Sequence, residues 1–151
     1  MFRRILMAAS LQEYKIIEST KNESDWVESQ INNYNRVLLA FPGKPETSLN
    51  FYLKDNDEII AGINSCFYFG EFLYVNVLFV KGEYRGKGIG SVLLSKVEEE
   101  ARKKGAKLSQ LHAFEFDNVK EFYLHHGYEI YGVMDDCSAK FKHYFFKKRL
   151  I

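Results

Sequence analysis

Residues 72–94 run without a break from an apolar stretch through a glycine-rich turn into an amphipathic one, and this restricts the possible folds more than anything else in the chain. Residues 72–80, Phe-Leu-Tyr-Val-Asn-Val-Leu-Phe-Val, read as a buried strand. Gly82, Gly86, Gly88 and Gly90 crowd the turn, and Ile89, Val92, Leu93, Val97 and Ala101 then recur at helical spacing. A strand, a tight turn and a helix start together make an anion site. The first backbone N–H groups of a helix lack intrahelical acceptors, and the dipole adds roughly half a positive charge.

Spacing decides which phosphate such a loop suits. Gly86-x-Gly88-x-Gly90 is one residue short of the dinucleotide fingerprint Gly-x-Gly-x-x-Gly, and no clear strand-end carboxylate follows about twenty residues on. A P-loop fails too. Gly82 is followed by only three residues before Gly86-Lys87, and Gly88 stands where a hydroxyl would bind magnesium. A nucleotide-dependent phosphotransferase is therefore disfavoured.

What fits is Arg85-x-x-Gly88-x-Gly90, with an apolar strand before it and Ser91-Val92-Leu93-Leu94 after it. This resembles the coenzyme A pyrophosphate loop of the GNAT superfamily of N-acetyltransferases. The glycines let a diphosphate approach the amides and tolerate φ > 0, while Arg85 offers a planar fork and Lys87 a point charge. A second stretch, Asn118-Val-Lys-Glu-Phe-Tyr123-Leu-His-His-Gly127-Tyr128, is similar to the family's C-terminal signature, with Asn118 two residues closer to Tyr123 than in the commonest form. The resemblance covers residues 50–150 and is closest to a subgroup of small bacterial members.

The resemblance implies an α/β fold with a mixed, mostly antiparallel sheet of six to seven strands, splayed at one parallel pair and flanked by about four helices. It implies acetyl-CoA as cosubstrate and transfer of its acetyl group to a primary amine by direct attack in a ternary complex. Tyr123 takes the family's position for the general acid that protonates the departing thiolate. Leu78, Phe79, Val80, Arg85, Gly86, Lys87, Gly88, Ile89, Gly90, Ser91, Asn118 and Tyr123 are the expected coenzyme-binding residues. A backbone N–H near Phe79 or Val80 would stabilise the charge growing on the thioester oxygen. The first helices and the loop between them would border the acceptor. The competing reading is a coenzyme A-binding sensor or partner-binding domain of the same fold without turnover, against which the retained Tyr123 and the full 85–90 loop argue.

Composition bounds the rest. The chain has 151 residues and a formal net charge of +1, which favours neither nucleic acid nor a membrane surface as partner. Residues 1–12 have too short and broken an apolar run for a signal peptide or membrane span. They are expected to be a loose extension before a single domain over residues 13–151, in a cytoplasmic protein. Cys66 and Cys137 have neither metal nor disulfide spacing, and the four histidines form no metal motif, so no metal is expected. The acceptor stays open between a small molecule and a peptide, and the state between monomer and homodimer, with pairing through the terminal strands. Glu71, Glu115, Asp117, Asp135 and His112 are all open as the general base.

The remaining elements follow from pattern. Residues 14–18 suggest a strand, and Thr20-x-x-Glu23 a capping box for a helix carrying Val27, Ile31, Tyr34 and Leu38 and ending before Pro42. Strands over 49–53, 58–69 and 72–80 should form an antiparallel meander. The last should be covered on both faces, with Asn76 a buried amide. The helix over 88–104 should expose its Glu98–Glu99–Glu100 run and end at Gly105. A strand over 106–116 should lie parallel to 72–80 by a right-handed crossover, the two parting beside the loop. Asp117 or Asn118 should cap a helix over 119–126, followed by strands over 128–134 and 143–150.

Overall fold

A computed structural model describes residues 15–38, 46–116, 118–135 and 141–151 of the chain. The expected extension over 1–12, Asp117 and Cys137 lie outside the described residues. Two compact units are formed, residues 1–40 and residues 41–151.

The first unit holds helix α1, Lys21–Leu38. Its start is the expected capping box. Glu23 accepts the Thr20 N–H at 2.9 Å and also the Thr20 hydroxyl, and these hydrogen bonds hold its carboxyl below the usual range. Lys21 pairs with Asp25 one turn on, at 2.7 Å. Residues 15–20 have no regular structure, which corrects the strand expected there. Ile16 and Ile17 supply β propensity, but a strand needs a ladder partner.

The second unit is a seven-stranded sheet with helices α2, Ile89–Lys104, and α3, Val119–His125. Strands β1, Thr47–Ser48, and β2, Phe51–Asp55, both pair antiparallel with β3, Glu58–Tyr68. Asn50 interrupts them by accepting the Ser65 N–H through its side-chain oxygen at 3.0 Å, which is why the expected 49–53 strand is displaced. β3 pairs antiparallel with β4, Phe72–Val80. β4 pairs parallel with β5, Leu108–Phe114, after the α2 crossover. β7, His143–Arg149, lies between β5 and β6, Glu129–Met134. The last strand is therefore interior, and only β6 of the two terminal strands is an edge able to meet another copy. Three helices lie among the described residues, where about four were expected.

α2 packs Leu93, Leu94, Val97 and Ala101 into the core with Ala61, Ile63, Leu73 and Val75. Val92, expected inside, faces out, because the stripe through 93, 94, 97 and 101 leaves 92 beyond its edge. Gly105, at φ 105°, closes the helix as expected.

The glutamate run corrects the sequence reading. Glu99 pairs with Lys103 at 2.6 Å, and Glu100 with Lys96 at 2.8 Å and Lys103 at 3.0 Å, all on the outer face. Glu98, only 3% exposed, points inward. It accepts from Lys148 Nζ at 2.6 Å, from the Tyr128 hydroxyl at 3.0 Å and from an Arg102 Nη at 3.4 Å. The Tyr128 hydroxyl meets Ser109 Oγ at 2.7 Å, so the charge is held inside a network joining α2, β5 and β7.

β4 departs from simple alternation. Adjacent Asn64 and Ser65 of β3 pair with Val77 and Val75, so Asn76 is an extra residue, a β-bulge. One extra residue swaps the faces beyond it. Leu73 and Val75 are buried at 0% and 3%, and after the bulge Leu78 and Val80 pack on the core instead, while Val77 and Phe79 stand about half exposed. Asn76 itself is exposed, not a buried amide. The parallel ladder also stops here, its last pair being Val75 with Leu111.

Candidate active site

The site is the opening that the end of that ladder leaves. Beyond Val75 and Leu111 the two parallel strands have no shared register, and the glycine-rich turn fills the end of β4. A single 3₁₀ turn, Gly82–Tyr84, follows Lys81, and the Arg85 N–H closes it on the Gly82 carbonyl at 3.1 Å. Arg85 also donates from Nε to the Val80 carbonyl at 3.0 Å, tying the loop to the strand end.

Gly86 and Gly88 hold φ of 73° and 80°, where a side chain is strained. A Cβ at either would meet no atom within 4 Å, so packing does not demand glycine there. Backbone conformation does, together with space for something else. Gly88 is the N-cap of α2, and Val92 is the first residue whose N–H returns to it, at 3.1 Å. The N–H groups of Ile89, Gly90 and Ser91 precede that bond and have no helical acceptor. They face a cleft of about 690 Å³.

The cleft is lined by Leu78, Phe79, Val80, Arg85, Gly86, Gly88, Ile89, Gly90, Ser91 and Tyr123 among the expected residues, and by Tyr84, Phe116, Val119 and Phe122 besides. Tyr84 and Phe122 escaped the sequence reading because single aromatic residues resemble core residues. Tyr84 is anchored by its hydroxyl to Asp55 Oδ2 at 2.6 Å. Phe122 lies against Gly90, whose Cβ would stand 3.4 Å from its ring. Lys87 and Asn118 are not lining residues. Lys87 stands over the Tyr84 ring at 5.1 Å. Asn118, at φ 60°, makes no side-chain capping bond to α3, contrary to expectation.

Tyr123 is 7% exposed and packs on Tyr128 and Phe146. Its hydroxyl makes no hydrogen bond to the described residues, yet no sealed polar side-chain atom among them lacks a partner. The oxygen therefore opens to the cleft it lines. Burial pushes the phenol up to about 12, so it stays protonated at any physiological pH. Burial also raises Tyr128, with the Glu98 charge adding to it. The sign is fixed by both phenols ionising more easily unfolded, near ~10. The contribution of these two phenols to stability should be flat below pH 10 and fall above it, by about 1.4 kcal/mol per pH unit for each phenol until its folded value is reached. Urea unfolding at pH 8, 10 and 11 measures this.

Other polar candidates have structural partners. His125 and His126 each donate from Nδ1 to the carbonyl four residues back, at 2.7 Å. Glu71 pairs with Lys107, and Glu115 accepts from the Tyr144 hydroxyl at 2.7 Å. Burial raises the Cys66 thiol, which disfavours a nucleophilic thiolate. No group of three or more metal-ligating side chains occurs among the described residues, and no helix there is long and apolar enough to cross a membrane.

Residues 47–130 match the family model of the GNAT acetyltransferase domain. An acetyltransferase of Agrobacterium fabrum is 29% identical over 102 residues, covering 68% of this chain and 74% of that protein. The crystal structure of an acetyltransferase from Bacillus cereus superposes with a TM-score of 0.82 at 31% identity, covering 90% of this chain and 97% of the other. An aminoglycoside 6'-N-acetyltransferase solved with coenzyme A shares the fold, with a TM-score of 0.61 at 17% identity over 91% and 98% of the two chains. A glycine cradle at the parting of two parallel strands, in a domain matched over more than half its length, makes this chain a member of the GNAT acetyltransferase family.

Proposed function

We propose that the chain transfers the acetyl group of acetyl-CoA to a primary amine, by direct attack while both substrates are bound. The observation that carries this is the junction of the open cradle at residues 86–91 with a cleft reaching the Tyr123 hydroxyl. The cradle fits a diphosphate, offering consecutive N–H groups at a helix start with no Cβ in the way. The cleft volume lies within the range of small-molecule sites. Arg85 adds positive charge to its lining.

In this reading the pantetheine arm runs from the cradle between β4 and α3. A β4 N–H freed by the end of the ladder, near Phe79 or Val80, meets the thioester oxygen as charge develops there. The amine nitrogen bonds to the carbonyl carbon, the C–S bond breaks, and the thiolate takes the Tyr123 proton. The proton shed by the new amide nitrogen restores the phenol. A phenol raised to about 12 does not release its proton to a free thiolate near ~8.5 unaided, so the return of that proton must accompany the transfer.

Thiol release from acetyl-CoA over a panel of primary amines tests the reaction. Coenzyme A binding with no amine-dependent release would leave only a binding domain. The cradle has its own test. Gly88→Val forces a β-branched side chain onto φ 80° and toward the diphosphate. The free loop is expected to relax out of a strain of about 1–3 kcal/mol that binding must then restore, giving roughly five- to 150-fold weaker acetyl-CoA binding by calorimetry. Unchanged affinity would remove the cradle from the site.

A further inference from the structure

The cleft is lined from α2 and α3, and His112, which follows the end of the parallel ladder, is exposed. Leu111 is the last residue of β5 paired with β4 and is buried in the core. His112 comes next and points to the opposite face, at the register position that Asn76 would have met had the ladder continued. Its Nδ1 lies 2.7 Å from Nε2 of His143, the first residue of β7. The two imidazoles meet edge to face with centroids 4.7 Å apart, and Phe114 stacks on His143 at 4.4 Å.

We propose that His112, hydrogen-bonded to His143, is the base that accepts the proton of the incoming ammonium at the far side of the strand parting. This rests on the acetyltransferase reading of the cleft. Between the two facing nitrogens one hydrogen is shared, so one ring donates and the other accepts. The pair therefore cannot hold two full charges at that distance. His112 Nε2 and His143 Nδ1 point away from this bond. A proton taken by His112 Nε2 makes an imidazolium whose Nδ1–H donates to His143, and the released R–NH₂ is the nucleophile. The proton leaves to solvent after turnover, giving one net proton per acetyl group transferred from an ammonium.

Aromatic rings surround the pair. Tyr74 on β4 stands 6.0 Å from the His112 ring, Phe145 on β7 at 5.8 Å, and Tyr131 on β6 lies behind Phe145 at 6.2 Å. None carries a charge at neutral pH. Burial first, and then the neighbouring His112, hold His143 below its ordinary value. His143 is the positioning residue: it fixes the tautomer and ring orientation of His112.

The test compares two probes with acetyl-CoA: benzylamine, which arrives as an ammonium at pH 7, and hydroxylamine, which arrives as a free base. His112→Gln should lower benzylamine acetylation by about 10²-fold or more and hydroxylamine acetylation by less than about threefold. Added imidazole should restore part of the benzylamine rate. His143→Gln should move the acid limb of the benzylamine pH–rate profile while leaving KM for acetyl-CoA unchanged. Equal losses for both probes, or none, in a His112→Gln protein that still binds acetyl-CoA would overturn the base assignment alone. Failure of the wild type to release thiol with both probes and with every amine of the panel would overturn the acetyltransferase reading and this proposal with it.

Discussion

Exchanging Tyr123 for phenylalanine is expected to lower kcat by about 10²-fold or more while acetyl-CoA affinity stays within about twofold. The change removes one oxygen and keeps the ring that packs on Tyr128 and Phe146. Because the hydroxyl has no partner among the described residues, its loss strands no donor or acceptor and should cost the fold little. What is lost is the proposed proton donor. A fall in kcat with constant KM for acetyl-CoA would mark an interaction made only in the transition state. Stopped-flow thiol release with a saturating amine gives the rate, and calorimetry gives the affinity. An unchanged kcat would exclude Tyr123 from the chemistry without touching the family assignment.

Replacing Glu98 by alanine is expected to destabilise the protein by about 3–5 kcal/mol. The substitution leaves Lys148, at 20% side-chain exposure, facing the space vacated by its partner, and deprives the Tyr128 hydroxyl of its acceptor. Removing one member of a buried pair costs more than the pair was worth, because the remaining charge has lost its solvation and its partner together. The double variant Glu98→Leu/Lys148→Met should recover most of the loss, since no unpaired charge remains. Urea denaturation with a constant m-value provides the comparison. A single-variant cost below about 1 kcal/mol would mean that the network behaves like a surface pair.

Glu98 also shows where sequence reading stops. A Glu-Glu-Glu run with Arg102, Lys103 and Lys104 four residues on satisfies every rule for a solvated helix face, and two of the three glutamates obey it. The third points inward because Lys148 arrives from a strand fifty residues away. Nothing local signals that. The β4 strand, the loop and α2 were legible because each rests on short-range chemistry: an apolar run, glycines at φ > 0, and a helical stripe closed by Gly105. The parallel pairing followed from the crossover rule, and the parting of the strands followed from it in turn. The insertion of β7 between β5 and β6 did not, since strand order depends on which edge remains open when the chain returns. Most of the expected coenzyme-binding residues meet in one cleft because they are contiguous in sequence. Tyr84, Phe116 and Phe122 were missed because an isolated aromatic residue reads the same in a core as in a cleft wall.

The extra residue at Asn76 has a consequence for how relatives of this protein are compared. Sliding a strand of regular pleat along β4 without allowing for it would equate wall positions with solvent positions for residues 77–80, all four at once. Substitutions that look conservative in such an alignment would exchange a side chain on one face of the sheet for one on the reverse. Specificity inferred across the family at these positions is sound only when the irregularity is matched first.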